Sequence, residues 1–554
     1  MSVLDAARAW MERDPDPETR AELQALIDVN DVAALEERFS GTLEFGTAGL
    51  RGLLGAGPTR MNRMTVSQAT AGLCAWLAKE VPDAAIRGLC VGRDARPNSD
   101  VFEQDVVEVA TAAGISTFVF TELVPTPVLA FASLRLRAAG GVMITASHNP
   151  PGYNGYKVYA ENAAQIIPPS DAAIASEIAR AAAGPIARLP RVQARASGLV
   201  REIDAVRAEY VAAIADEVKP DPDRAPLRIA YTALHGVAER TLRAVLSRAG
   251  FDDVHSVAAQ ATPDGRFPTV DFPNPEEPGA MDLVLALGAE VDADLVLAND
   301  PDGDRVAVAV RGAEGFQVLS GNDVGVLLAD DLLRQTDAPR PVVLSTIVSS
   351  PMLGPVAASH GARWEQTLTG HKWIQNRALE LEREGYTYIF GYEEALGYAA
   401  SALVRDKDGI SAALRLADLA SRLKAEGKTL LDARDALWRK HGFFADRQVS
   451  VRFEGPGAQL KMRDIVERVR ANPPKRIAGI RVVRISEPDA TVLVFDLEGG
   501  HRAMLRPSGT EPKLKYYFYA LGRVEKNGDL DAAKATATLL LQRIADDFTA
   551  QDER

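Results

Sequence analysis

Three aspartates alternate with a proline and a glycine directly after a strand-like run at residues 294–298. They are Asp300, Asp302 and Asp304, and the intervening Pro301 and Gly303 disfavour a helix. Two carboxylates about 4 Å apart repel each other by on the order of 4 kcal/mol at an effective dielectric constant of about 20. A cation would stabilise such a loop, and oxygen ligands favour Mg²⁺ or Ca²⁺. A hydrated surface turn is the alternative.

The spacing excludes a calcium-binding EF-hand. Counted from Asp300, an EF-hand loop needs glycine at its sixth position and glutamate at its twelfth, where this sequence has Arg305 and Arg311. The 7 histidines show no zinc-type spacing. The aspartates therefore favour a site for a hard cation.

A serine follows a second apolar run, Gly141–Ile144, in the hexapeptide Thr145–Pro150. A turn-rich segment, residues 151–155, comes next. α/β proteins place reacting groups on loops of this kind, after a strand. Ser147 is therefore a candidate nucleophile if a neighbour activates it. The alternative is a tight turn, in which Ser, Asn and Pro are common.

Two further segments are suited to binding an anion. At residues 506–510 the sequence Arg-Pro-Ser-Gly-Thr precedes Lys513 and Lys515. Arg506 can bind a phosphate through two hydrogen bonds, and Gly509 permits the tight curvature that lets backbone N–H groups surround it. Residues 44–52 form a glycine-rich stretch that includes Arg51. Ordinary surface turns are the alternative for both segments.

These parts favour phosphoryl transfer to a ligand that is also held by a second phosphate. The chain offers a candidate nucleophile, a candidate metal loop, a phosphate loop and a polar loop containing Glu393 and Glu394. Gly427–Thr429 has the end of a P-loop sequence, but Arg422 stands where its first glycine is required. A P-loop nucleotide site is therefore excluded.

Composition narrows the class of protein. The 554 residues predict several domains, and the net charge of −13 disfavours a nucleic-acid or anionic-membrane surface. No apolar run reaches about 18 residues, which predicts no membrane span. The N-terminus lacks the basic and apolar regions of a signal peptide. Cys74 and Cys90 lie in apolar contexts that fit a reducing compartment, so we expect a cytoplasmic protein.

Strands and helices alternate through most of the chain and predict four domains. We expect α/β domains at residues 1–202, 203–320 and 321–445, with one architecture used three times, and an α+β domain at 446–554. Residues 2–40 predict two short helices. In the last domain, alternating patterns predict strands at 448–453, 480–485 and 491–496, and helices near 457–471 and 531–549. We number these domains 1 to 4.

The motifs resemble, in order, those of the α-D-phosphohexomutase family, which includes phosphoglucomutases and phosphomannomutases. They are residues 46–52, 145–150, 300–305, 391–397 and 506–510, and they extend over nearly the whole chain. The resemblance implies three α/β domains of mixed sheets and a distinct fourth domain around a central cleft. Many members have a serine at the position of Ala395. The sequences at 45–52 and 391–395 are similar to those of bacterial α-phosphoglucomutases and phosphopentomutase-like members.

The resemblance also implies roles for individual residues. Ser147 is expected to be a phosphoserine, with Arg51, His148 and Lys157 around its phosphate. A magnesium ion is expected on Ser147, Asp300, Asp302 and Asp304. The residues expected to bind substrate are Thr47, Arg305, Gly370, His371, Lys372, Glu393, Glu394, Lys407, Arg506, Ser508, Gly509, Thr510 and Lys515.

The resemblance therefore implies interconversion of a hexose 1-phosphate and a hexose 6-phosphate, with α-D-glucose expected ahead of mannose or a pentose. We expect a sugar 1,6-bisphosphate as intermediate and activator, and His148 or Lys157 as the general base. The bisphosphate must turn over between the two transfers, which predicts a mobile domain 4. We expect a small phosphosugar as the partner and a monomer or homodimer. A metal-dependent phosphatase and an inactive sugar-phosphate binding protein are the alternatives from other classes.

Overall fold

A computed structural model describes residues 2–43, 49–219, 221–453, 457–489, 492–507, 513–525 and 528–550. Four β-sheets follow one another along the chain, and helices cover them. This confirms the mixed α/β fold class, with three α/β domains and a sheet-rich fourth. The boundaries at 202/203, 320/321 and 445/446 stay predictions. No helix within the described ranges is long and apolar enough to cross a membrane.

The sheet of domain 1 has six strands in the order β1-β5-β4-β2-β3-β6. Strands β2, β3, β4 and β6 are parallel, whereas β5 runs antiparallel to both β4 and β1. The strands are β1 Leu50–Leu53, β2 Leu89–Arg93, β3 Thr117–Val119, β4 Gly140–Ile144, β5 Tyr153–Tyr159 and β6 Val200–Glu202. Arg51, expected in a loop, therefore lies on strand β1, because β5 offers that segment an edge with which to pair.

Nine helices accompany this sheet in the described part of domain 1: α1 Val3–Met11, α2 Pro17–Asp28, α3 Val32–Phe39, α4 Arg63–Glu80, α5 Ala84–Arg87, α6 Ser99–Ala112, α7 Thr126–Arg135, α8 Ser170–Ala182 and α9 Arg191–Ala196. The expectation of two helices before residue 40 is wrong, since there are three. Asn30 adopts a φ of 52°, which interrupts the second helix. Asp31 then caps α3 by accepting a hydrogen bond from the N–H of Ala34 at 3.0 Å.

Domains 2 and 3 repeat this plan with smaller sheets. Domain 2 has the order β11-β10-β9-β7-β8, and domain 3 the order β13-β12-β14-β15. The domain 2 elements are α10 Val206–Ala215, β7 Ile229–Thr232, α11 Glu239–Arg248, β8 Val254–Ser256, the short 3₁₀ helix Ala258–Gln260, α12 Asp282–Glu290, β9 Leu295–Asn299, β10 Val306–Gly312 and β11 Gly315–Val318. The domain 3 elements are α13 Gly321–Gln335, β12 Pro341–Thr346, α14 Leu353–Ser359, β13 Arg363–Thr367, α15 His371–Arg383, β14 Thr387–Glu393, β15 Gly397–Ala399, α16 Gly409–Ala425 and α17 Leu430–His441.

The same hairpin recurs in the three α/β domains. A strand with a parallel neighbour, β4, β9 or β14, is followed by an antiparallel strand, β5, β10 or β15. The connections between them contain Ser147 in domain 1 and Asp300, Asp302 and Asp304 in domain 2, and Glu393 ends β14 in domain 3. The expectation that one architecture is used three times is therefore confirmed, and it explains why three distant motifs occupy equivalent places.

Domain 4 has a six-stranded antiparallel sheet in the order β16-β21-β20-β19-β18-β17. Its elements are β16 Phe443–Arg452, α18 Ala458–Ala471, β17 Arg476–Ile477, β18 Ile480–Asp489, β19 Val492–Leu497, β20 His501–Pro507, β21 Lys513–Gly522 and α19 Leu530–Thr549. One buried apolar cluster runs through domains 1, 2 and 3, and another fills domain 4. The first three domains therefore share a core that fixes their loops relative to one another.

Candidate active site

Ser147 adopts a left-handed backbone conformation that serines rarely use. Its φ is 54°, and its N–H donates to Thr145 Oγ1 at 2.8 Å. A non-glycine residue in this region costs on the order of 1–3 kcal/mol and persists only where its surroundings enforce it. Here the residue is 2% exposed. The conformation therefore identifies Ser147 as a residue that the neighbouring structure holds in place.

Arg96 provides that enforcement. Its buried guanidinium donates to the carbonyl oxygens of Ser147 at 2.7 Å, Pro150 at 2.9 Å and Tyr153 at 3.0 Å, and also to that of Asn149. A fixed planar fork of donors can bind several carbonyls of one loop at once, which a lysine cannot. Arg96 has no predicted role, because an arginine in a loop gives no indication in the sequence of what it binds.

The hydroxyl of Ser147 lies between a carboxylate and an imidazole. Its Oγ donates to Asp300 Oδ2 at 2.9 Å and is 3.1 Å from His148 Nδ1. Burial, followed by the charges of Arg305 and Arg51, lowers the pKa of His148 well below its usual value. The imidazole is therefore neutral near pH 7 and able to accept a proton.

Asp300, Asp302 and Asp304 are fully buried. One carboxylate oxygen from each lies within 4.8 Å of the others, which is close enough to share a cation. Asp302 Oδ1 and Asp304 Oδ1 are buried and lack a hydrogen-bond partner in the described part of the chain. Unpaired buried carboxylate oxygens are costly, so this donor set fits a hard divalent cation such as Mg²⁺. Gly303 has a φ of 73°, which explains the glycine in this turn.

Two lysines occupy the remaining side of the aspartate loop. Lys157 Nζ donates to Asp302 Oδ2 and Asp304 Oδ2, both at 2.7 Å, and Lys407 Nζ is 2.8 Å from Asp304 Oδ2. Burial alone would lower the pKa of Lys157, but Asp302 and Asp304 raise it above its ordinary value. Lys157 is therefore a protonated ion-pair partner in this structure, and His148 is the better placed base.

Arg51 and Arg305 complete the cationic surroundings. Arg51 donates to Asn149 Oδ1 at 3.0 Å on the serine loop. The N–H of Arg305 donates to Asp300 Oδ1 at 3.0 Å, and its guanidinium is 3.5 Å from Glu276. The described site residues of domains 1 and 2 thus lie together in one cluster, although the chain separates them by about 250 positions at most (Arg51 to Arg305).

Thr126 joins domain 1 to the aspartate loop. No sequence motif includes this residue. Its Oγ1 donates to Asp302 Oδ2 at 2.6 Å, and its N–H donates to the carbonyl of Asp302 at 2.9 Å. A threonine after Pro125 at the start of helix α7 is an ordinary sequence feature. Only the three-dimensional contact reveals that it orients a candidate metal ligand.

Three consecutive residues of domain 3 anchor it to the other two. Asp406 accepts from Tyr159 and Gln165, each at 2.7 Å, and Lys407 reaches Asp304. Asp408 caps helix α16 and accepts from the hydroxyl of Tyr210 at 2.8 and 2.9 Å. Lys407 is therefore held by buried contacts on both sides, although it comes from a distant part of the chain.

Glu393 ends strand β14, and residues 393–397 connect it to β15; this connection is here called the domain 3 loop. Glu393 Oε1 accepts from the N–H of Gly370 at 2.9 Å, and its Oε2 is 3.3 Å from His371 Nδ1. Burial opposes its ionisation, but His371 lowers the pKa of Glu393 to about 2. Lys372 is buried one residue further on, and burial lowers its pKa. Glu393 is therefore a charged acceptor, suited to hydroxyl groups of a sugar.

The domain 3 loop touches the aspartate loop through Gly397. Arg305 and Gly397 form an antiparallel β-bridge. A Cβ added at Gly397 would lie 2.8 Å from Lys407 Cδ and 3.7 Å from Glu393 Oε2. A side chain at Gly397 would displace Lys407, so the candidate sugar-binding carboxylate and the candidate metal loop lie close together at this glycine.

Domain 4 places its cations on two paired strands. Arg506 on β20 and Lys515 on β21 are direct cross-strand neighbours. Tyr517 lies within hydrogen-bonding reach of Arg506 and is also close enough to Glu394 to feel its charge. A cavity of about 260 Å³ between domains 2, 3 and 4 is lined by Glu276, Glu394 and Tyr517, among others. Ser508, Gly509, Thr510 and Thr47 lie outside the described residues.

Three family models for phosphoglucomutase/phosphomannomutase match successive parts of the chain. They describe alpha/beta/alpha domain I at residues 42–184, domain II at 208–314 and domain III at 320–441. The chain belongs to this family. Its fold and its family thus agree with the resemblance drawn from the motifs, and the protein is a phosphomutase.

Relatives of this phosphoglucomutase/phosphomannomutase family member are named for three different sugars. A Haemophilus influenzae protein named "Probable phosphomannomutase" is 41% identical over 85% of this chain and 95% of its own. A mouse phosphopentomutase is 34% identical over 92% of this chain and 88% of its own. A Staphylococcus epidermidis phosphoglucomutase is 33% identical over 87% and 91%. The comparisons therefore establish the reaction class but leave the sugar open.

Proposed function

We propose that this phosphomutase interconverts hexose 1-phosphate and hexose 6-phosphate, with α-D-glucose as the preferred sugar, through a phosphorylated Ser147 and a sugar 1,6-bisphosphate. The observation that supports it most is the position of Ser147 Oγ, 2.9 Å from Asp300 and 3.1 Å from His148, beside a buried aspartate loop with unpaired oxygens. A hydroxyl between a neutral base and a cation site is arranged for reversible phosphorylation.

Asp300, Asp302, Asp304 and a phosphate oxygen on Ser147 would hold Mg²⁺. When bound, the ion would neutralise charge on the transferring phosphoryl group. The unpaired Asp302 Oδ1 and Asp304 Oδ1 fit this assignment, since Lys157 and Lys407 already occupy the other oxygens of these carboxylates.

In the first transfer, a free sugar hydroxyl attacks the phosphorus. The bond from phosphorus to Ser147 Oγ breaks as the new P–O bond forms. His148 accepts the proton of the attacking hydroxyl and returns it to the departing Ser147 Oγ, which lies 3.1 Å from its Nδ1. Arg51 and Lys157 are placed to oppose the negative charge of the phosphoryl oxygens. The product is a bisphosphate, and in the second transfer Ser147 takes back a phosphoryl group from its other end.

Glu393 would bind sugar hydroxyls, with Gly370, His371 and Lys372 beside it, and Arg305, Lys407 and Glu394 would border the ligand. The non-transferring phosphate would lie on Arg506 and Lys515, with Ser508, Gly509, Thr510 and Thr47 as further predicted contacts. Cationic side chains, hydroxyl groups and backbone N–H groups are the donors that bind phosphate in proteins. The bisphosphate must exchange its two phosphates between Ser147 and Arg506, so domain 4 must open and close.

A coupled assay with glucose 1-phosphate, mannose 1-phosphate and ribose 1-phosphate, each with a trace of the matching bisphosphate, tests the proposal. We expect the highest kcat/KM for glucose 1-phosphate. Ribose 1-phosphate is the second candidate, because a relative named phosphopentomutase aligns with most of the chain. Release of free phosphate without isomerisation would support a phosphatase, and binding without turnover would support a binding protein.

A cytoplasmic location and a monomeric or dimeric state remain part of this proposal. Both cysteines are free and buried, and burial raises the pKa of each thiol to about 12. Such thiols need no oxidising compartment. Fractionation of cells and light scattering of the purified protein test these two points.

A further inference from the structure

The segment from Asp264 to Glu276, here called the bridging segment, extends from domain 2 onto the serine loop of domain 1. It lies between the 3₁₀ helix Ala258–Gln260 and helix α12, and it contains neither helix nor strand. Its contacts reach Arg96, His148 and Arg305. None of the sequence motifs includes it, yet it touches two arginines of the site and the imidazole of His148.

Hydrogen bonds fix the bridging segment to the sheet of domain 2. The N–H of Asp264 donates to the carbonyl of His235 at 2.9 Å. Thr269 Oγ1 is 2.8 Å from His235 Nε2 and accepts from Gln260 Nε2 at 2.9 Å. His235 lies in the loop that follows strand β7, so these hydrogen bonds tie the segment to the sheet of domain 2.

At one end, the segment packs closely on Arg96. A Cβ added at Gly265 would lie 2.4 Å from both the carbonyl oxygen of Ala95 and Arg96 Cα. The ring of Phe267 faces the Arg96 guanidinium, with 5.0 Å from Cζ to the ring centroid. Because Arg96 binds the serine loop, this contact fixes the bridging segment relative to Ser147.

Phe272 stacks on the imidazole of His148. The ring centroids are 6.0 Å apart and the ring planes differ by 28°. In the described part of the chain, Ser147 Oγ is the single hydrogen-bond partner found for that imidazole, at 3.1 Å. A single hydrogen bond leaves an imidazole free to rotate about its side-chain torsions. Packing against the face of a second ring restricts that rotation.

We propose that Phe272 is a positioning residue, supplied by domain 2, that holds the His148 ring with Nδ1 directed at the reacting oxygen of Ser147. This inference rests on the proposed role of His148 as general base. Phe272 does not touch the reacting atoms itself. It acts through His148, so replacing it should slow the chemical step more than it weakens substrate binding.

A double-mutant cycle tests this proposal, with Phe272→Leu, His148→Gln and their combination in a sensitive assay of glucose 1-phosphate isomerisation. We expect Phe272→Leu to lower kcat on the order of tenfold with KM within about twofold, and to have no further effect once His148 is Gln. Phe272→Tyr, which keeps the ring, should recover most of the loss. Phe251→Leu is the matched control, a buried phenylalanine of the same domain that faces Arg224 instead.

Equal losses of kcat from Phe272→Leu with His148 present and absent would overturn the inference, as would an unchanged kcat in the single variant. If Phe272→Leu does not fold, Phe272→Met takes its place in the same cycle. Full activity of His148→Gln would refute the base assignment itself together with the inference. If His148→Gln is nearly inactive and Phe272→Leu lowers its remaining kcat by the same factor as in wild type, the positioning role alone would be refuted.

Discussion

Ser147 Oγ donates to Asp300 Oδ2 at 2.9 Å, although the two residues lie on loops of different sheets and are 153 positions apart in the chain. The candidate nucleophile and the candidate metal loop therefore meet only because domains 1 and 2 pack on each other. Thr126 of domain 1 and the bridging segment of domain 2 each add contacts across that junction. Substitutions of residues that hold this junction together should therefore lower activity, even though these residues do not contact the substrate.

Thr126 offers the cleanest test of this junction. Thr126→Val removes the hydroxyl that donates to Asp302 at 2.6 Å but keeps the shape of the side chain. Partners that orient metal ligands typically contribute about 10- to 100-fold in affinity, so the Mg²⁺ concentration for half-maximal activity should rise by about tenfold. Thr126→Ser keeps the hydroxyl and should behave nearly as wild type. Identical magnesium titrations for all three proteins would refute the assignment.

Arg96 should be irreplaceable by lysine. Arg96→Lys keeps the charge but cannot donate to four carbonyls at once, so Ser147 loses the contacts that enforce its φ of 54°. We expect kcat to fall on the order of 100-fold, measured by steady-state isomerisation with the fold checked by circular dichroism. Arg93→Lys, a half-buried arginine paired with Glu103, is the control. A normal kcat in Arg96→Lys would show that the serine loop is held by other means.

The sequence predicted the residues that carry the chemistry better than it predicted the contacts that hold them in place. Ser147 and the three aspartates were found because each group follows an apolar run and because they occur together with the other motifs in one order. The four-domain class followed from the alternation of strands and helices. Arg96, Thr126 and Phe272 could not be found, because each acts through tertiary contacts that leave no pattern in the chain. The third N-terminal helix was missed for a related reason, since one residue with positive φ, Asn30, separates it from the second.

Arg506 should determine the affinity for the anchored phosphate. A charge-assisted hydrogen bond contributes about 1.5–3 kcal/mol, so Arg506→Ala should raise KM for glucose 1-phosphate by about 10- to 100-fold and change kcat less. Arg481→Ala is the control, because that arginine is exposed in the same domain and pairs with Glu498. An unchanged KM in Arg506→Ala, or an equal rise in the control, would contradict the predicted role.

Glu394 should make stability depend on pH. Burial, followed by repulsion from Glu393, raises its pKa from 4.5 to about 7. Between these values the folded protein keeps a proton that the unfolded chain has lost, so the free energy of unfolding falls as pH rises through this window. At 1.36 kcal/mol per pKa unit, the cost above pH 7 is on the order of 3 kcal/mol.

Glu394→Gln should remove that cost while keeping the side-chain shape. Denaturant unfolding at pH 5 and pH 8 should therefore show the variant gaining stability over wild type at the higher pH only. Glu426→Gln, at an exposed glutamate, should show no such gain. A difference between Glu394→Gln and wild type that is the same at both pH values would contradict the raised pKa of Glu394.

The most direct test follows the phosphoryl group itself. The protein is labelled with radioactive glucose 1,6-bisphosphate, freed of excess ligand and mixed with unlabelled glucose 1-phosphate in the presence of Mg²⁺. We predict that the label enters the protein on Ser147, that Ser147→Ala takes up none, and that the chase moves the label into the sugar bisphosphate and then glucose 6-phosphate. Label on another residue, or its release as inorganic phosphate during the chase, would contradict a phosphoserine mutase.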